Sequence, residues 1–234
     1  NSYNHGHSLK NKGNLKAETG KSIDIGIDKF FPENNINLSA TTFFLEYKND
    51  IKGWASHGGG KQYTYSGEAD EFVIDNSASK TESYGLEFKT NWKPSNNYSF
   101  DLGYTRTESY DGTTCDNPDS SGGPGSAACN DEMNVRVPRH QINFIGTKIL
   151  NDNLIQKIKL RFVGERRDYG NINNSFEDVI LSNYFTADYF LNYKMFNAYN
   201  LNISAKNIFD KRYSEAYEYK APGRSVNFML SKEY

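Results

Sequence analysis

The sequence predicts an all-β protein, an antiparallel up-and-down transmembrane β-barrel, and three observations lead to this fold class. Apolar and polar residues alternate along about nine segments, as in strands with one apolar and one polar face. The connections between these segments are short and long in turn, as in transmembrane barrels. The 234 residues also include 17 Tyr and 15 Phe, and aromatic side chains concentrate where a barrel meets the membrane surface.

Composition excludes three other classes of protein. A membrane-spanning helix needs about 18 consecutive apolar residues, whereas the longest apolar runs here are triplets such as 43–45 and 179–181. Disordered chains are poor in aromatic residues, which make up 15% of this sequence. A formal net charge of −2 lacks the positive surface of a nucleic-acid-binding protein, so we expect no nucleic-acid partner.

Each segment is recognised by its apolar residues, which share one parity when they all fall at even or all at odd positions. Segments 36–49 and 140–150 carry apolar residues at both parities and are less regular. No segment has helical spacing. In the seven regular segments the apolar residues share one parity, and mostly polar residues occupy the other. The apolar members are Ile23, Ile25 and Ile27; Tyr84, Leu86, Phe88 and Trp92; Tyr98, Phe100, Leu102 and Tyr104; Ile158, Leu160 and Phe162; Phe185, Ala187, Tyr189, Leu191 and Tyr193; Leu201, Ile203 and Ala205; and Val226, Phe228 and Leu230.

The connections alternate in length. Short ones, rich in the Asn and Pro that turns favour, fall at 32–35, 94–97, 151–154 and 197–200. Long polar ones fall at about 50–79, 110–139, 170–182 and 212–224. This pattern predicts a sheet whose two ends face different environments, with short turns on one side of the membrane and long loops on the other.

A soluble β-sandwich is the alternative, because its half-buried strands alternate in the same way. Three features favour the barrel. The segments of 10 or so residues exceed the soluble average of about 5 to 6 and match a tilted crossing of a bilayer. Aromatic residues collect near both ends of the segments. The polar parity carries full charges such as Lys159, Arg161 and Asp188, which a wet interior tolerates and a dry core does not.

The two cysteines, Cys115 and Cys129, lie in one Gly-, Ser- and Pro-rich stretch. We expect a disulfide, which would restrain this loop by about 3 kcal/mol in the chain-entropy model and implies an oxidising compartment outside the cytoplasm. Two free thiols are the alternative. No Cys/His spacing predicts a zinc site, and a calcium site is a weaker alternative for the nearby acidic residues Asp116, Asp119, Asp131 and Glu132.

Several motifs, taken in order, resemble those of the TonB-dependent receptors of Gram-negative outer membranes. Residues 13–18, GNLKAE, are similar to the family's NPNLKPE element, and 83–87, SYGLE, to its GvE strand. Residues 101–105, DLGYT, resemble the strand that follows, and 137–140, VPRH, the return from a long loop. The strongest resemblance is the end, where NIFDKRY at 207–213 is followed by Pro-Gly-Arg and a last strand.

The resemblance implies the architecture and location of the protein. Family barrels have about 22 strands around a plug, so residues 1–234 are expected to be one domain, the nine C-terminal strands, without the plug. The protein would lie in the outer membrane of a Gram-negative bacterium, in contact with its lipid and lipopolysaccharide, as a monomer. The last strand would carry the C-terminal barrel signal, formed by Val226, Phe228, Leu230 and Tyr234.

The implied function is active import of a large, scarce nutrient, driven by the TonB energy-transducing complex through the missing plug segment. Residues 207–224 look like the cobalamin (vitamin B12) receptor branch, so cobalamin is the first expected ligand. Ferric-siderophore or haem receptors are the alternative, and a passive porin or adhesin barrel is a further one. A barrel-embedded hydrolase is disfavoured because no catalytic constellation is apparent, so we expect neither an enzyme nor a cofactor.

Candidate ligand-binding residues are predicted from chemistry alone. Rigid aromatic side chains with polar tips suit a large amphipathic ligand, and packing of the loops against one another is the alternative role. For Arg166 and Arg167, at the top of a strand, solvated charge at the rim is the preferred interpretation, and contact with anionic groups of a ligand or of lipopolysaccharide is the alternative. No metal site is expected. The six aromatic candidates, in long connections or at the edge of one, are Trp54, Tyr63, Tyr65, Tyr169, Tyr217 and Tyr219.

Overall fold

The structure, a computed structural model, describes residues 9–11, 15–49, 51–57, 60–61, 71–76, 80–111, 132–172, 175–196 and 198–232. Within these ranges the chain contains strands and no helix, as the sequence predicts. None of the described residues forms a helix long and apolar enough to cross a membrane. The strands are β1 Leu9–Asn11, β2 Thr19–Phe31, β3 Ile36–Lys48, β4 Ile51–His57, β5 Gly60–Lys61, β6 Glu71–Asn76, β7 Lys80–Ser95, β8 Tyr98–Asp111, β9 Glu132–Met133, β10 His140–Asn151, β11 Leu154–Val163, β12 Arg166–Ile172, β13 Ser175–Leu181, β14 Tyr184–Met195, β15 Tyr199–Lys206, β16 Ser214–Ala216, β17 Tyr219–Lys220 and β18 Ser225–Lys232.

One sheet contains all nine predicted segments. Its order is β18-β15-β14-β11-β10-β8-β7-β3-β2, and the short β9 pairs with β8 beside this path. Neighbours in the sheet follow one another along the chain, apart from the short strands in the long connections. The up-and-down topology and the count of nine main strands are therefore confirmed for the described part of the chain.

The registers separate an apolar face from a polar face. Phe144 on β10 pairs with Leu102 on β8 and with Leu160 on β11, whereas its neighbour Asn143 pairs with Gly103 and Arg161. The same alternation continues to β18. Between β15 and β18, the apolar face is formed by register pairs such as Ile203 with Phe228. The sheet thus shows the two chemically distinct faces that the alternation predicts.

The apolar face is the exposed one. Ile27 is 70% exposed and Phe228 is 71% exposed, which water penalises and hydrocarbon does not. The polar face carries hydrogen-bonded and charged groups, including the cross-strand neighbours Lys159 and Asp188 and the amides of Asn192 and Asn202, 2.6 Å apart. This distribution is the reverse of a soluble sandwich, whose apolar parity packs inward.

Aromatic rings gather on the apolar face at the short-turn end. The ring centroid of Phe100 lies 5.4 Å from that of Trp92, 6.4 Å from that of Tyr98 and 6.2 Å from that of Phe144. The first short turn is closed by a hydrogen bond from the N–H of Asn35 to the carbonyl of Pro32. Asn35 has φ of 50°, a conformation that Asn tolerates better than most residues.

The long connections contain strands that the sequence does not predict. β4 pairs with β6, and β6 also pairs with β1; β12 pairs with β13, and β16 with β17. These strands are short and mixed in polarity, so they give no alternation signal of useful length. Backbone pairing satisfies the hydrogen-bonding groups of these strands, and β12 in addition buries one face, at Arg166, Asp168 and Gly170.

Contacts within the chain divide it into two compact units. Unit 1 comprises Asn1–Ile23, Phe44–Ser83 and Ser109–Met133, and its described part holds the small sheet of β1, β4, β5 and β6. Unit 2 comprises Asp24–Phe43, Tyr84–Glu108 and Asn134–Tyr234. It holds most of the large sheet and the two hairpins β12–β13 and β16–β17.

Candidate functional site

Three long connections meet at the carboxylate of Asp168, which lies on β12 and is 0% exposed. Its Oδ1 accepts hydrogen bonds from Nε of Arg136 and from the backbone N–H of Tyr169, both at 2.9 Å. Its Oδ2 accepts one from the backbone N–H of Tyr217 at 2.6 Å. Arg136 precedes β10, Tyr169 belongs to the β12–β13 hairpin and Tyr217 to the final connection, so one carboxylate joins all three.

The donors around Asp168 keep this buried group ionised. Burial by itself raises the pKa of the carboxyl, because an apolar environment disfavours charge. The backbone N–H groups of Tyr217 and Tyr169 and the guanidinium of Arg136 act in the opposite direction, and together they hold the pKa below its usual value. An aspartate with its acceptor sites occupied in this way is a firm attachment point for otherwise exposed loops.

Arg136 is attached to β12 through its backbone as well. Its N–H donates to the carbonyl of Arg167 at 2.7 Å, and its φ is 64°, in the left-handed region that non-glycine residues rarely adopt. The backbone of Arg136 therefore bonds to Arg167, and its side chain bonds to Asp168, the next residue of the hairpin. The connection before β10 is held against the β12–β13 hairpin at this point.

A second contact set fastens the final connection to the polar face of the large sheet. Tyr184 on β14 is 2% exposed, and its ring stacks on that of Tyr213 with centroids 4.0 Å apart. The Tyr184 hydroxyl donates to Oε1 of Glu215 at 3.1 Å, and Nη1 of Arg161 on β11 donates to the same oxygen at 3.1 Å. The final connection thus folds over β11 and β14.

Arg166 lies between these two contact sets. It is 3% exposed, its guanidinium carbon lies 5.2 Å from the centroid of the Tyr184 ring, and Nη2 donates to the carbonyl of Ser214. Nη1 is buried and has no hydrogen-bond partner among the described atoms. An unpartnered guanidinium nitrogen is costly in a buried site, and an anionic oxygen is the partner it favours most.

The final connection is closed at its base by Asn207, which is 5% exposed. Its Nδ2 donates to the carbonyls of Lys211 at 3.0 Å and Pro222 at 3.3 Å, and its Oδ1 accepts from the N–H of Lys211 at 2.9 Å. The N–H of Arg224 donates to Oδ1 of Asp210 at 2.8 Å. The NIFDKRY and Pro-Gly-Arg elements are therefore two sides of one loop closure.

The structure brings together three of the six predicted aromatic residues. Tyr169 and Tyr217 flank Asp168 through their backbones, and the Arg167 guanidinium carbon lies 4.9 Å from the Tyr169 ring centroid. Tyr219 is on β17 in the same final connection and is 76% exposed. Tyr169, 46% exposed, and Tyr219 are therefore presented to solvent from neighbouring elements.

The other predicted site residues are described in part or not at all. Trp54 lies on β4, where its backbone pairs with that of Val73. Val226 and Leu230, like Phe228, lie on the exposed apolar parity of β18, which fits a lipid-facing last strand. Their role as a barrel signal stays a prediction. Four ligand or disulfide candidates and the terminal member of the signal lie outside the described residues: Tyr63, Tyr65, Cys115, Cys129 and Tyr234.

Sequence reasoning missed the residues that organise the site. Arg166 and Arg167 stand out as a doublet, but nothing in the alternation marks Asp168, Glu215 or Arg136, whose roles come from contacts across the chain. Tyr213, which the sequence marks only as the last residue of NIFDKRY, stacks on the buried ring of Tyr184. Among the described residues there is no group of three or more His, Cys, Asp or Glu side chains that could hold a metal ion.

Comparison with known proteins identifies the same architecture. A family model described as TonB dependent receptor-like, beta-barrel, matches residues 1–208. No curated protein matches the sequence. The ferripyoverdine receptor of the Pseudomonas aeruginosa outer membrane is similar in structure, with a TM-score of 0.68 and 16% identity over 92% of this chain and 27% of that one.

Two further solved structures share the fold. The FrpB iron transporter from Neisseria meningitidis has a TM-score of 0.68 and 15% identity, over 96% of this chain and 32% of its own. The ferric enterobactin receptor from Pseudomonas aeruginosa has a TM-score of 0.65 and 20% identity, over 94% of this chain and 32% of its own. The chain spans about a third of the length of these receptors. It belongs to the β-barrel family of TonB-dependent receptors, which lie in the outer membrane of Gram-negative bacteria.

Proposed function

We propose that this chain supplies capture loops and part of the polar interior of an active transporter that imports a large, scarce nutrient. Energy would come from the TonB complex acting on a plug domain, and the chain itself would be one domain of the barrel, without that plug. The observation that carries the proposal is the contact set at Asp168. It holds Tyr169 and Tyr217 together, while Tyr213 and Glu215 cover the polar face that a ligand would enter.

For the ligand we propose an anionic ferric chelate of the siderophore class. The buried and unpartnered Nη1 of Arg166 favours a ligand with negatively charged oxygens. The three solved receptors named above are described as receptors or transporters of iron or its chelates, which supports the same class. Cobalamin is the second candidate, favoured by the resemblance of residues 207–224 to the cobalamin receptor branch.

Binding to the full-length parent receptor tests the ligand class. Ferric catecholate, ferric hydroxamate, haem and cyanocobalamin would be titrated separately while intrinsic fluorescence is recorded. We expect saturable binding of one of the ferric siderophores and none of cyanocobalamin. Tight corrinoid binding without affinity for the ferric ligands would reverse the choice of ligand and leave the transporter proposal intact.

The candidate aromatics are tested in the same assay. Tyr169→Ala, Tyr217→Ala and Tyr219→Ala should each weaken binding by about tenfold, the effect of losing about 1.4 kcal/mol of contact energy. Tyr193→Ala, on the apolar face of β14, is the matched control and should leave affinity unchanged. If the three tyrosine variants bind as tightly as the wild type, these tyrosines pack loops together and do not contact the ligand.

A passive barrel is distinguished by the energy requirement. Uptake of the bound ligand by cells carrying the full-length receptor should stop when the TonB complex is deleted, although surface binding should persist. Uptake that continues at the same rate without TonB would support a passive porin instead.

A further inference from the structure

Glu215, in the final connection, places a carboxylate of the chain itself on the polar face of the large sheet. Its Oε1 accepts hydrogen bonds from Nη1 of Arg161 and from the hydroxyl of Tyr184, both at 3.1 Å. Arg161 lies on β11 and Tyr184 on β14, which are paired neighbours in the sheet. A guanidinium and a phenol that converge on one negative oxygen form a binding position for an anionic group. Here a side chain of the protein occupies that position.

A second guanidinium lies against the same tyrosine. The guanidinium carbons of Arg161 and Arg166 are 5.7 and 5.2 Å from the centroid of the Tyr184 ring. Arg166 is 3% exposed and forms no ion pair with a described carboxylate. Glu215 therefore balances one of two positive charges, and the unpartnered Nη1 of Arg166 leaves room for a further anionic oxygen.

The other acidic residues of this region are bound elsewhere. Asp168 accepts its hydrogen bonds from three other donors, as described above. Asp188, on β14, accepts one from the backbone N–H of Asn207 at 2.8 Å. Neither forms an ion pair with the two guanidiniums. Among the described carboxylates, Glu215 is thus the one that competes with an incoming anion for them.

Access to Arg166 requires movement of the segment that carries Glu215. Nη1 of Arg166 is closed to solvent, and Nη2 of the same guanidinium donates to the carbonyl of Ser214, the residue before Glu215. The Glu215 side chain is 61% exposed, so water screens its ion pair and the carboxylate leaves at small cost. An anion that replaces Glu215 at Arg161 would also free the adjoining peptide from Arg166.

Two flanking contacts confine that movement to β16, Ser214–Ala216. Before it, the ring of Tyr213 stacks on that of Tyr184. After it, the N–H of Tyr217 donates to the buried carboxylate of Asp168. Neither contact uses the competing carboxylate, so both ends of the segment stay attached when that carboxylate is displaced.

We propose that Glu215 is an internal competitor of the imported ligand: its carboxylate occupies Arg161 until an anionic oxygen of the ferric chelate displaces it and binds Arg161 together with Nη1 of Arg166. This inference rests on the proposed function and adds that the site selects its ligand by charge. A ferric tricatecholate is a negatively charged complex and can replace the carboxylate. A ferric trihydroxamate is uncharged, so displacing Glu215 would leave Arg161 without an anion.

Glu215→Gln tests the competition, because the amide keeps an oxygen acceptor and loses the charge. Binding of a ferric tricatecholate and of a ferric trihydroxamate to the full-length parent receptor would be followed by intrinsic fluorescence. We expect the variant to bind the tricatecholate about fivefold more tightly, the equivalent of about 1 kcal/mol for an exposed ion pair. Its response to the trihydroxamate should stay that of the wild type. A residue that only holds the loop in place would give the opposite sign, since its loss would weaken binding.

Asp178→Asn is the matched control. Asp178 pairs with Arg167 at 2.7 Å, and its side chain is 53% exposed. The variant therefore loses the same charge from an ion pair of the same kind, away from Arg161. It should bind the tricatecholate as tightly as the wild type does.

A double-mutant cycle separates competition for Arg161 from repulsion at a distance. In an Arg161→Gln background, Glu215 has lost the guanidinium that it occupies, so adding Glu215→Gln should no longer tighten binding of the tricatecholate. Heat-modifiable migration on gels checks that each variant is folded.

Three results would overturn the inference and leave the proposed function intact: unchanged or weaker tricatecholate binding in Glu215→Gln, an equal gain in Asp178→Asn, or a full gain in the Arg161→Gln background. A wild-type receptor that binds the trihydroxamate and not the tricatecholate would also overturn it. A receptor that binds no ferric ligand would overturn the proposed function as well.

Discussion

The N–H of Tyr217 donates to the buried carboxylate of Asp168 at 2.6 Å, across 49 positions of sequence. The hydrogen bond joins the β12–β13 hairpin to the final connection, and Arg136 brings a third connection to the same carboxylate. Loops with long sequence separation are costly to order. A single buried anion that satisfies donors from three of them fixes their relative positions within unit 2.

Replacing Asp168 should release the three connections. Asp168→Ala leaves the guanidinium of Arg136 and two backbone N–H groups without their acceptor, which we expect to cost about 2 to 3 kcal/mol of local stability. Amide hydrogen exchange of the full-length receptor should show faster exchange at Tyr169 and Tyr217, while β10 and β11 keep their protection.

Asp178→Ala is the matched control for this change. Asp178 lies on the same hairpin and pairs with Arg167 at 2.7 Å, but its side chain is 53% exposed. An exposed pair contributes little, so exchange at Tyr169 and Tyr217 should stay near the wild-type rate. Equal acceleration by both changes would mean that the hairpin, and not the buried carboxylate, positions the loops.

The Asp168 contacts should persist into acid. Because the folded-state pKa of Asp168 is lowered, its contribution to stability is complete above the ordinary aspartate value of about 3.9 and is lost as pH falls through the folded value. Pepsin, which is active in acid, should therefore cleave the final connection only below about pH 3.9. Asp168→Asn should be cleaved equally fast on both sides of that pH, and a wild-type protein that opens well above it would contradict the lowered pKa.

The ring and the hydroxyl of Tyr184 should contribute separately to the stability of the final connection. Tyr184→Phe keeps the stack on Tyr213 and loses only the hydrogen bond to Glu215, at a cost of about 1 kcal/mol. Tyr184→Ala removes the stack as well and should cost about 3 to 5 kcal/mol, as for other buried aromatic truncations. Protection of Ser214–Ala216 against amide hydrogen exchange measures both stability costs. Similar losses of protection in the two variants would mean that the ring contributes nothing.

The strands of the large sheet could be predicted because their signal is local. The residues Ile23, Ile25 and Ile27 reveal β2 within five positions, and the same period locates six more of the nine main strands, whereas β3 and β10 carry apolar residues at both parities. Burial against lipid on one face and water on the other imposes that period directly on the sequence. The turn at 32–35 is local in the same sense, since Pro and Asn carry the turn chemistry themselves.

The candidate site could not be predicted in the same way, because its contacts are non-local. Asp168 has three donors, two of them from residues 32 and 49 positions away. Nothing near Asp168 in the sequence distinguishes it from a solvated aspartate such as Asp178. Residue type alone makes Tyr169 and Tyr217 candidates, and only the fold shows that one carboxylate joins their backbones.

Asn207 should control the closure of the final connection. Asn207→Ala removes three side-chain hydrogen bonds and places Ala at a φ of 49°, which together should cost about 3 kcal/mol. Hydrogen exchange across 208–222 should accelerate accordingly. Lys211→Ala is the control, because only its backbone groups bond to Asn207; if this change accelerates exchange as much, the Asn207 side chain is not the closing element.

Gly170 tests whether the position of Tyr217 matters for ligand capture. A Cβ at Gly170 would lie 2.5 Å from Cγ2 of Val179 and 3.0 Å from Cε1 of Tyr217, closer than atoms can approach without movement. Gly170→Ala should therefore displace the Tyr217 ring while leaving Asp168 and its charge in place. If the ring contacts the ligand, affinity of the full-length receptor should fall by about tenfold, the equivalent of 1.4 kcal/mol.

Gly103→Ala is the matched control. Gly103 lies on the polar parity of β8 with no atom within 4 Å of the added Cβ, so this change should leave the affinity unaltered. Unchanged affinity in Gly170→Ala, with a displaced ring confirmed by structure determination, would assign Tyr217 to loop packing.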